Sequence, residues 1–375
     1  MLSPEDSLRL NVLLKQDLQA LRIDEGKMTV YALTGRGEAR IPLNPNCSDE
    51  AYLRRVRETI SSNVLGVPHG YPAYLKRWTR MGHARTESLG SLLKLGEPEA
   101  LAAVVHASGL TDELADRAWW LLQSSEHARA MLKREAVARG RMGRILADFL
   151  VEFLPYEENH AHMVESVRLV LQPGLIDESV REDLWKKGQR RTAYRVGFLK
   201  TSPDALPETK APHPLLDELS APLAALAARG NPYAMQLLRL LQAHGQAYLD
   251  TVRHALTKCT DQGVVVHLFE ALESYFEDVR PHARGHRHMA ALLQEAARLD
   301  GCTEDPHRQR QVRELLEELP DRHHPLVESL LVFGLLGEPL LAPIFGNTDA
   351  VGSGLRHALE PVTAGLFPHL DRLTN

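Results

Sequence analysis

From about Tyr71 to its end this chain is broken at short intervals by Gly and Pro, and between the breaks apolar residues recur at helical spacing. Val265, Leu268, Phe269, Leu272, Phe276 and Val279 are the clearest run. Their steps of one, three and four residues place every apolar side chain on one helix face. Ile145, Leu146, Phe149, Leu150, Phe153 and Leu154 repeat the pattern, as do Met163, Val167, Val170 and Leu171, and then Val312, Leu315, Leu316 and Leu319. The stops are Gly96-Glu97-Pro98, Pro155, Pro173-Gly174, Gly230-Asn231-Pro232 and Pro320. Gly ends helices because it adopts left-handed backbone, and Pro opens them because its missing N–H is not needed in the first turn.

The stops themselves recur. Gly109-Leu110-Thr111-Asp112-Glu113 and Gly174-Leu175-Ile176-Asp177-Glu178 are near copies 65 residues apart, and Trp119 or Trp185 follows each one helix later. Leu95-Gly96-Glu97-Pro98 returns as Leu336-Gly337-Glu338-Pro339. This predicts an all-α fold, an irregular HEAT-like stack of helical hairpins. The N-terminal part reads differently. Leu8, Val12, Leu14 and Leu18 suggest an opening helix. The alternation from Met28 to Leu33, the turn Gly35-Arg36-Gly37, and Ala39, Ile41 and Leu43 then predict one small β-hairpin, with Pro42 and Pro45 confining its second strand to an edge. Thr201 to Pro214 carries four prolines and few apolar residues, the composition of a linker or of a strap lying on the surface. The expected organisation is an N-terminal module over 1–70, a helical repeat region over 71–200, the Pro-rich segment 201–214, and a C-terminal helical region over 215–375.

Composition excludes several classes. A chain of 375 residues with 44% hydrophobic and 25% charged residues buries a large core. No run has the length of a membrane span, and Met1–Leu10 carries Glu5 and Asp6 where a signal peptide would be basic and then apolar. Cys47, Cys259 and Cys302 lie far apart, which fits neither a disulfide framework nor a cysteine zinc site. A cytoplasmic protein without membrane contact is the expectation. The net charge of -5 divides unevenly: residues 1–200 hold 29 Lys+Arg against 26 Asp+Glu, and the acidic excess lies beyond them. An anionic partner would therefore meet the first half.

Candidate sites are few. His282 and His286, with His288 nearby, share a helical offset of four, but Gly285 intervenes and no acidic third ligand is in register, so no metal site is expected. His160 with His162, and His323 with His324, diverge on a helix. Cys47 precedes a helix start, with Arg54, Arg55 and Arg57 following, a setting that favours a thiolate able to carry persulfide sulfur. The competing reading is a small side chain in a capping loop. Arg77 and Arg80 flank Trp78, Arg141 and Arg144 belong to a second basic run, and Lys187, Arg190 and Arg191 to a third. Cations beside an aromatic ring suit RNA, though an ordinary solvated helix surface has the same composition. Phosphate-binding, dinucleotide, nucleophile-elbow and metalloprotease motifs are all missing from the chain. No catalytic residue and no cofactor is expected.

Leu43-Asn44-Pro45-Asn46-Cys47, Gly70-Tyr71-Pro72 running on to Arg77-Trp78-Thr79-Arg80-Met81-Gly82, Leu95 to Trp120, Glu165 to Ile176, and Gly230-Asn231-Pro232-Tyr233-Ala234 together resemble the DsrS family, encoded with the dissimilatory sulfite reductase cluster of sulfur-oxidising bacteria. The resemblance runs the length of the chain and rests on structural residues. It implies a cytoplasmic protein that supports oxidation of stored sulfur, with a part in post-transcriptional control of the sulfur genes. It supplies no catalytic residues.

Overall fold

The computed structural model describes residues 2–65, 86–281, 285–303, 305–346 and 350–374. The loop around Gly70, the stretch holding Arg77, Trp78 and Arg80, and His282 lie outside the described residues. The chain divides into two compact units, Met1–Phe153 and Leu154–Asn375. The division falls beside Pro155, and the Pro-rich segment 201–214 lies inside the second unit. Among the described residues there are twenty α-helices and one small sheet, so the fold is all-α with a β element at its N-terminal end.

In the first unit α1 spans Pro4–Leu14, capped by Ser3, whose hydroxyl accepts from the Asp6 N–H at 3.2 Å. The opening helix is present, but a different face is buried. Leu10 and Leu13 enter the core, Leu8 and Val12 are exposed, and Leu18 belongs to a strand. The expected hairpin supplies two strands of a three-stranded antiparallel sheet of order β1 (Leu18–Asp24), β2 (Thr29–Thr34) and β3 (Gly37–Pro42). The two-residue turn Gly35-Arg36 joins β2 to β3, with Thr34 opposite Gly37. Strand β3 is an edge strand that ends at Pro42, which has no N–H to offer a ladder. Strand β1 escapes the sequence pattern because Gln19, Arg22 and Asp24 break the alternation of its apolar residues. Its outer edge is covered: the Leu21 N–H donates to the Leu93 carbonyl at 3.0 Å. The sheet, α1 and α2 (Asp49–Leu65) share one core around Leu10, Leu21, Val30, Tyr52, Val56 and Ile60.

Helices α3 (Thr86–Leu92), α4 (Pro98–Val105), α5 (Asp112–Leu121), α6 (Ser125–Leu132), α7 (Glu135–Ala138) and α8 (Arg141–Phe153) complete the unit. On α8 the apolar stripe is rotated from the expected one. Met142, Leu146, Ala147 and Leu150 are buried, Ile145 is exposed and Phe149 is half-buried.

The second unit runs α9 (His160–Val170), α10 (Glu178–Lys187), α11 (Thr192–Thr201), α12 (Leu216–Ala228), α13 (Pro232–Leu241), α14 (Ala243–Lys258) and α15 (Gln262–Tyr275). It continues with α16 (Met289–Ala296), α17 (Pro306–Glu318), α18 (His324–Leu335), α19 (Ala342–Phe345) and α20 (Ser353–Thr374). The Val265–Val279 face is buried at all six positions, as the periodicity requires. Many neighbours in sequence pack together, α12 on α13 and α13 on α14, as in a helical stack. Other pairs depart from that rule: α11 packs on α15, and the last helix departs from it as well. Helix α20 runs through Pro361 and Pro368 and packs back on α14 and α18. Gln246 of α14 donates to the Leu373 carbonyl at 2.9 Å.

No single helix among the described residues is long and apolar enough to cross a membrane. One pair bent by 83°, Asp321–Leu335 with Glu338–Phe345, matches a broken span in length and composition. Its first helix is core: Leu326, Val327, Leu330, Leu331, Val332 and Phe333 are all buried.

Candidate functional site

The basic residues singled out by sequence are distributed over both units, and partners elsewhere in the chain engage most of them. In the first unit Arg141 pairs with Asp116 at 2.8 Å and Arg139 with Glu135 at 2.7 Å, while Arg134 donates to the His106 carbonyl at 2.6 Å. Arg144 is exposed and also engaged. In the second unit Lys187 pairs with Asp183 at 2.7 Å, and Arg191 donates to the carbonyls of Leu154 and Pro155, each at 3.4 Å. Arg190 is exposed and makes no ion pair among the described residues.

Cys47 is exposed in the loop before α2, and its Sγ accepts a hydrogen bond from Arg55 Nη1 at 3.4 Å. Cys259 is buried, and burial pushes its thiol up. His286 is tied to Glu295 at 3.1 Å, and His323 to Glu218 at 3.1 Å. Among the described residues no three His, Cys, Asp or Glu side chains converge closely enough to hold a metal ion.

Three polar clusters that sequence reasoning missed do converge. Lys200, His267 and Glu270 meet with Nζ–Oε2 2.6 Å, Nδ1–Oε2 2.8 Å and Nζ–Nδ1 3.1 Å. Burial raises the Glu270 carboxyl, but the contacts with Lys200 and His267 outweigh it and hold the group below its usual value. Ser329 and His369 meet at 3.1 Å between α18 and α20, both buried. In the first unit the buried Asp6 carboxylate accepts from the Tyr52 hydroxyl at 2.5 Å and the Asn44 N–H at 2.8 Å. His267 and Glu270 are one helical turn apart, but the other partners lie 38 to 70 residues apart in sequence, beyond any local spacing.

None of these clusters lines either of two cavities formed by described residues. One, of about 320 Å³, lies in the first unit between β1 and α4, walled by apolar side chains with Arg22, Asp24, Lys27 and Glu97. Its charged groups are already compensated. Arg22 lies between the rings of Tyr31 (4.8 Å) and Trp120 (4.9 Å), and Glu97 pairs with Arg57 at 3.3 Å. Burial raises the Glu97 carboxyl above its usual value. The other, of about 440 Å³, lies in the second unit and is crossed by the pairs Lys210–Asp250 (3.0 Å) and Arg253–Asp371 (2.6 Å).

The segment 201–214, here the strap, is held to the second unit by side chains. Asp204 forms a two-pronged pair with Arg239 at 2.8 and 2.6 Å, and Glu208 pairs with Arg195 at 3.4 Å. Each of these arginines rests on an aromatic ring. Arg239 lies 3.8 Å from the centre of Tyr275, and Arg195 lies 3.4 Å from that of Trp185. The acids are four residues apart in the strap, while their partners sit on α13 and α11.

No protein-family model matches this chain, and neither does any curated protein or solved structure.

Proposed function

We propose that the chain is a noncatalytic accessory protein of dissimilatory sulfur oxidation, a helical scaffold acting in regulation or assembly of the sulfite reductase system. The sulfur context comes from the DsrS resemblance. The noncatalytic part is supported by one observation above all: among the described residues, the three clusters of reactive-type side chains form between packed elements and line neither of the two cavities described. A reaction needs such groups aimed at a space where substrate can sit. These groups spend their hydrogen bonds on one another instead. A protein partner fits this reading best. RNA is the less favoured partner, because Arg141, Lys187 and Arg191 already have acids or carbonyls to neutralise them.

The test is to remove the protein from cells oxidising stored sulfur and measure sulfite reductase subunits and their messenger. The expected result is altered subunit abundance or assembly with the specific activity of assembled enzyme unchanged. Normal abundance, assembly and sulfur oxidation together would contradict the proposal.

A second reading rests on Cys47, which is exposed and contacted by Arg55. Its thiolate would attack a polysulfide, take the terminal sulfane sulfur and release a shorter polysulfide. Mass spectrometry after polysulfide treatment decides it. A gain of one sulfur on Cys47, absent in Cys47→Ala, supports carriage. An unmodified Cys47 ends it.

A further inference from the structure

Between 206 and 212 the strap makes no backbone–backbone hydrogen bond with a helix among the described residues. Downstream it is anchored, because His213 is buried and donates its N–H to the Leu241 carbonyl at 2.9 Å. Elsewhere side chains fasten it: Asp204 on Arg239, Glu208 on Arg195, Lys210 on Asp250, and Arg181 on the Ala205 carbonyl. A strand in a sheet cannot leave without breaking a ladder, but a segment held by a few charged contacts can exchange. The receiving side is built more firmly than the strap. Arg195 is 6% exposed, stacked on Trp185, and its Nε has no hydrogen-bond partner. Arg239 is stacked on Tyr275, which stacks in turn on Tyr248 at 3.7 Å. A guanidinium laid on a ring keeps its donor edges directed at a carboxylate, so two such groups read the spacing of two acids.

We infer that the surface beneath the strap is a docking groove for an acidic, proline-containing peptide segment, and that residues 202–210 are its built-in occupant. The inference rests on the reading of this chain as a protein-binding scaffold and names its partner class. That class is a segment with two carboxylates four residues apart, as in Asp204-Ala205-Leu206-Pro207-Glu208. Pro203 and Pro207 restrict the free strap, so little conformational entropy separates its bound and released forms. A partner segment would compete with the strap for the two arginines, and the strap would set the threshold for that competition.

The experiment uses the full chain and a labelled peptide of residues 202–212. Binding is measured to the wild type, to a D204N/E208Q variant, and to that variant with Arg239→Gln added. Hydrogen exchange follows the strap in each, and circular dichroism confirms that the helices persist. The single variant E208Q serves if the double variant does not fold. The expected result is faster exchange in the strap of D204N/E208Q, peptide binding tighter by about tenfold or more than in the wild type, and loss of that gain with Arg239→Gln. Three results would overturn the inference: a strap equally protected in both proteins, a released strap with no gain in peptide binding, or a released groove that takes a single-stranded oligonucleotide and not the peptide. The outcome does not depend on any sulfur-oxidation partner, so its failure and that of the scaffold proposal are separable.

Discussion

Asp6 shows how much one side chain does here. It is buried, it accepts from Tyr52 and Asn44, and so ties α1 to the start of α2 and to the loop after β3. Burial opposes its charge, but the hydrogen bonds from Tyr52, Asn44 and Ser3 and the nearby Arg9 outweigh that and hold the carboxyl below its usual value. Asp6→Ala leaves the Tyr52 hydroxyl and the Asn44 N–H without an acceptor. The expected cost is roughly 2–3 kcal/mol, read as a lower urea midpoint. The sign of the pH effect follows from the lowered value. The unfolded carboxyl takes a proton at higher pH than the folded one, so Asp6 stabilises fully above about pH 4 and less as pH falls through its folded value. Asp6→Asn should remove that part of the acid sensitivity, and denaturation at pH 3 and pH 6 compares the two proteins. The Gly230-Asn231-Pro232 stop is likewise a set of single-residue roles. Gly230 takes a φ of +82°, Asn231 Oδ1 accepts from the N–H groups of Tyr233 and Ala234, both at 3.1 Å, and Pro232 opens α13.

At the scale of elements, helix periodicity and stops were readable because each depends on residues within a few positions. The Val265–Val279 face and the Gly230 stop needed nothing from elsewhere. The repeats were readable as sequence but not as structure. Gly96 has a φ of +70° and sits where a Cβ would lie 2.7 Å from Leu21 Cδ2, whereas Gly337 is extended and faces Glu273. The two Leu-Gly-Glu-Pro strings thus make different turns. The Gly-Leu-x-Asp-Glu copies also diverge. Thr111 caps α5, while Asp177 stands at the cap of α10 one position later, though Trp119 and Trp185 are both buried. Asp112 is released by that offset to cap another helix. Its carboxylate accepts from the N–H groups of Arg141 and Met142 at 3.1 and 2.9 Å, and a Cβ at Gly140 would lie 2.2 Å from it. No sequence window spans that contact, nor those of Glu208 with Arg195 or Lys200 with Glu270. This is why the attachments of the strap and the polar clusters could not be read from the chain. Asp112→Ala should cost about 1–2 kcal/mol and raise hydrogen exchange in the first turn of α8. Gly96→Ala should cost about 1–3 kcal/mol through the left-handed backbone and the crowding of Leu21, measured by chemical denaturation.

At the scale of the molecule the two units carry different titratable groups in their interiors. Burial pushes His369 down, and burial with Arg195 and Lys258 pushes His254 down; both belong to the second unit. An unfolded histidine takes a proton near pH 6.5 and these two only at lower pH, so acid favours the unfolded form of this unit from about pH 6.5 downward. In the first unit Asp6 weakens only below about pH 4, and Glu97, raised by burial, acts in the opposite direction because its protonation favours the folded state. Between pH 7 and pH 5 residues 154–375 should therefore lose protection before residues 2–65 and 86–153. Segment-resolved hydrogen exchange, corrected for the intrinsic effect of pH, reads this order, and the reverse order would contradict it. The central proposal is that these helices present surfaces to other proteins and do no bond-making of their own. Its most direct test is quantitative cross-linked capture of the full chain from cells oxidising reduced sulfur. Sulfite reductase subunits, or complexes bound to their messenger, should be recovered in constant proportion to the bait. Recovery of neither above a control, with turnover of a small sulfur compound by the purified chain, would contradict it.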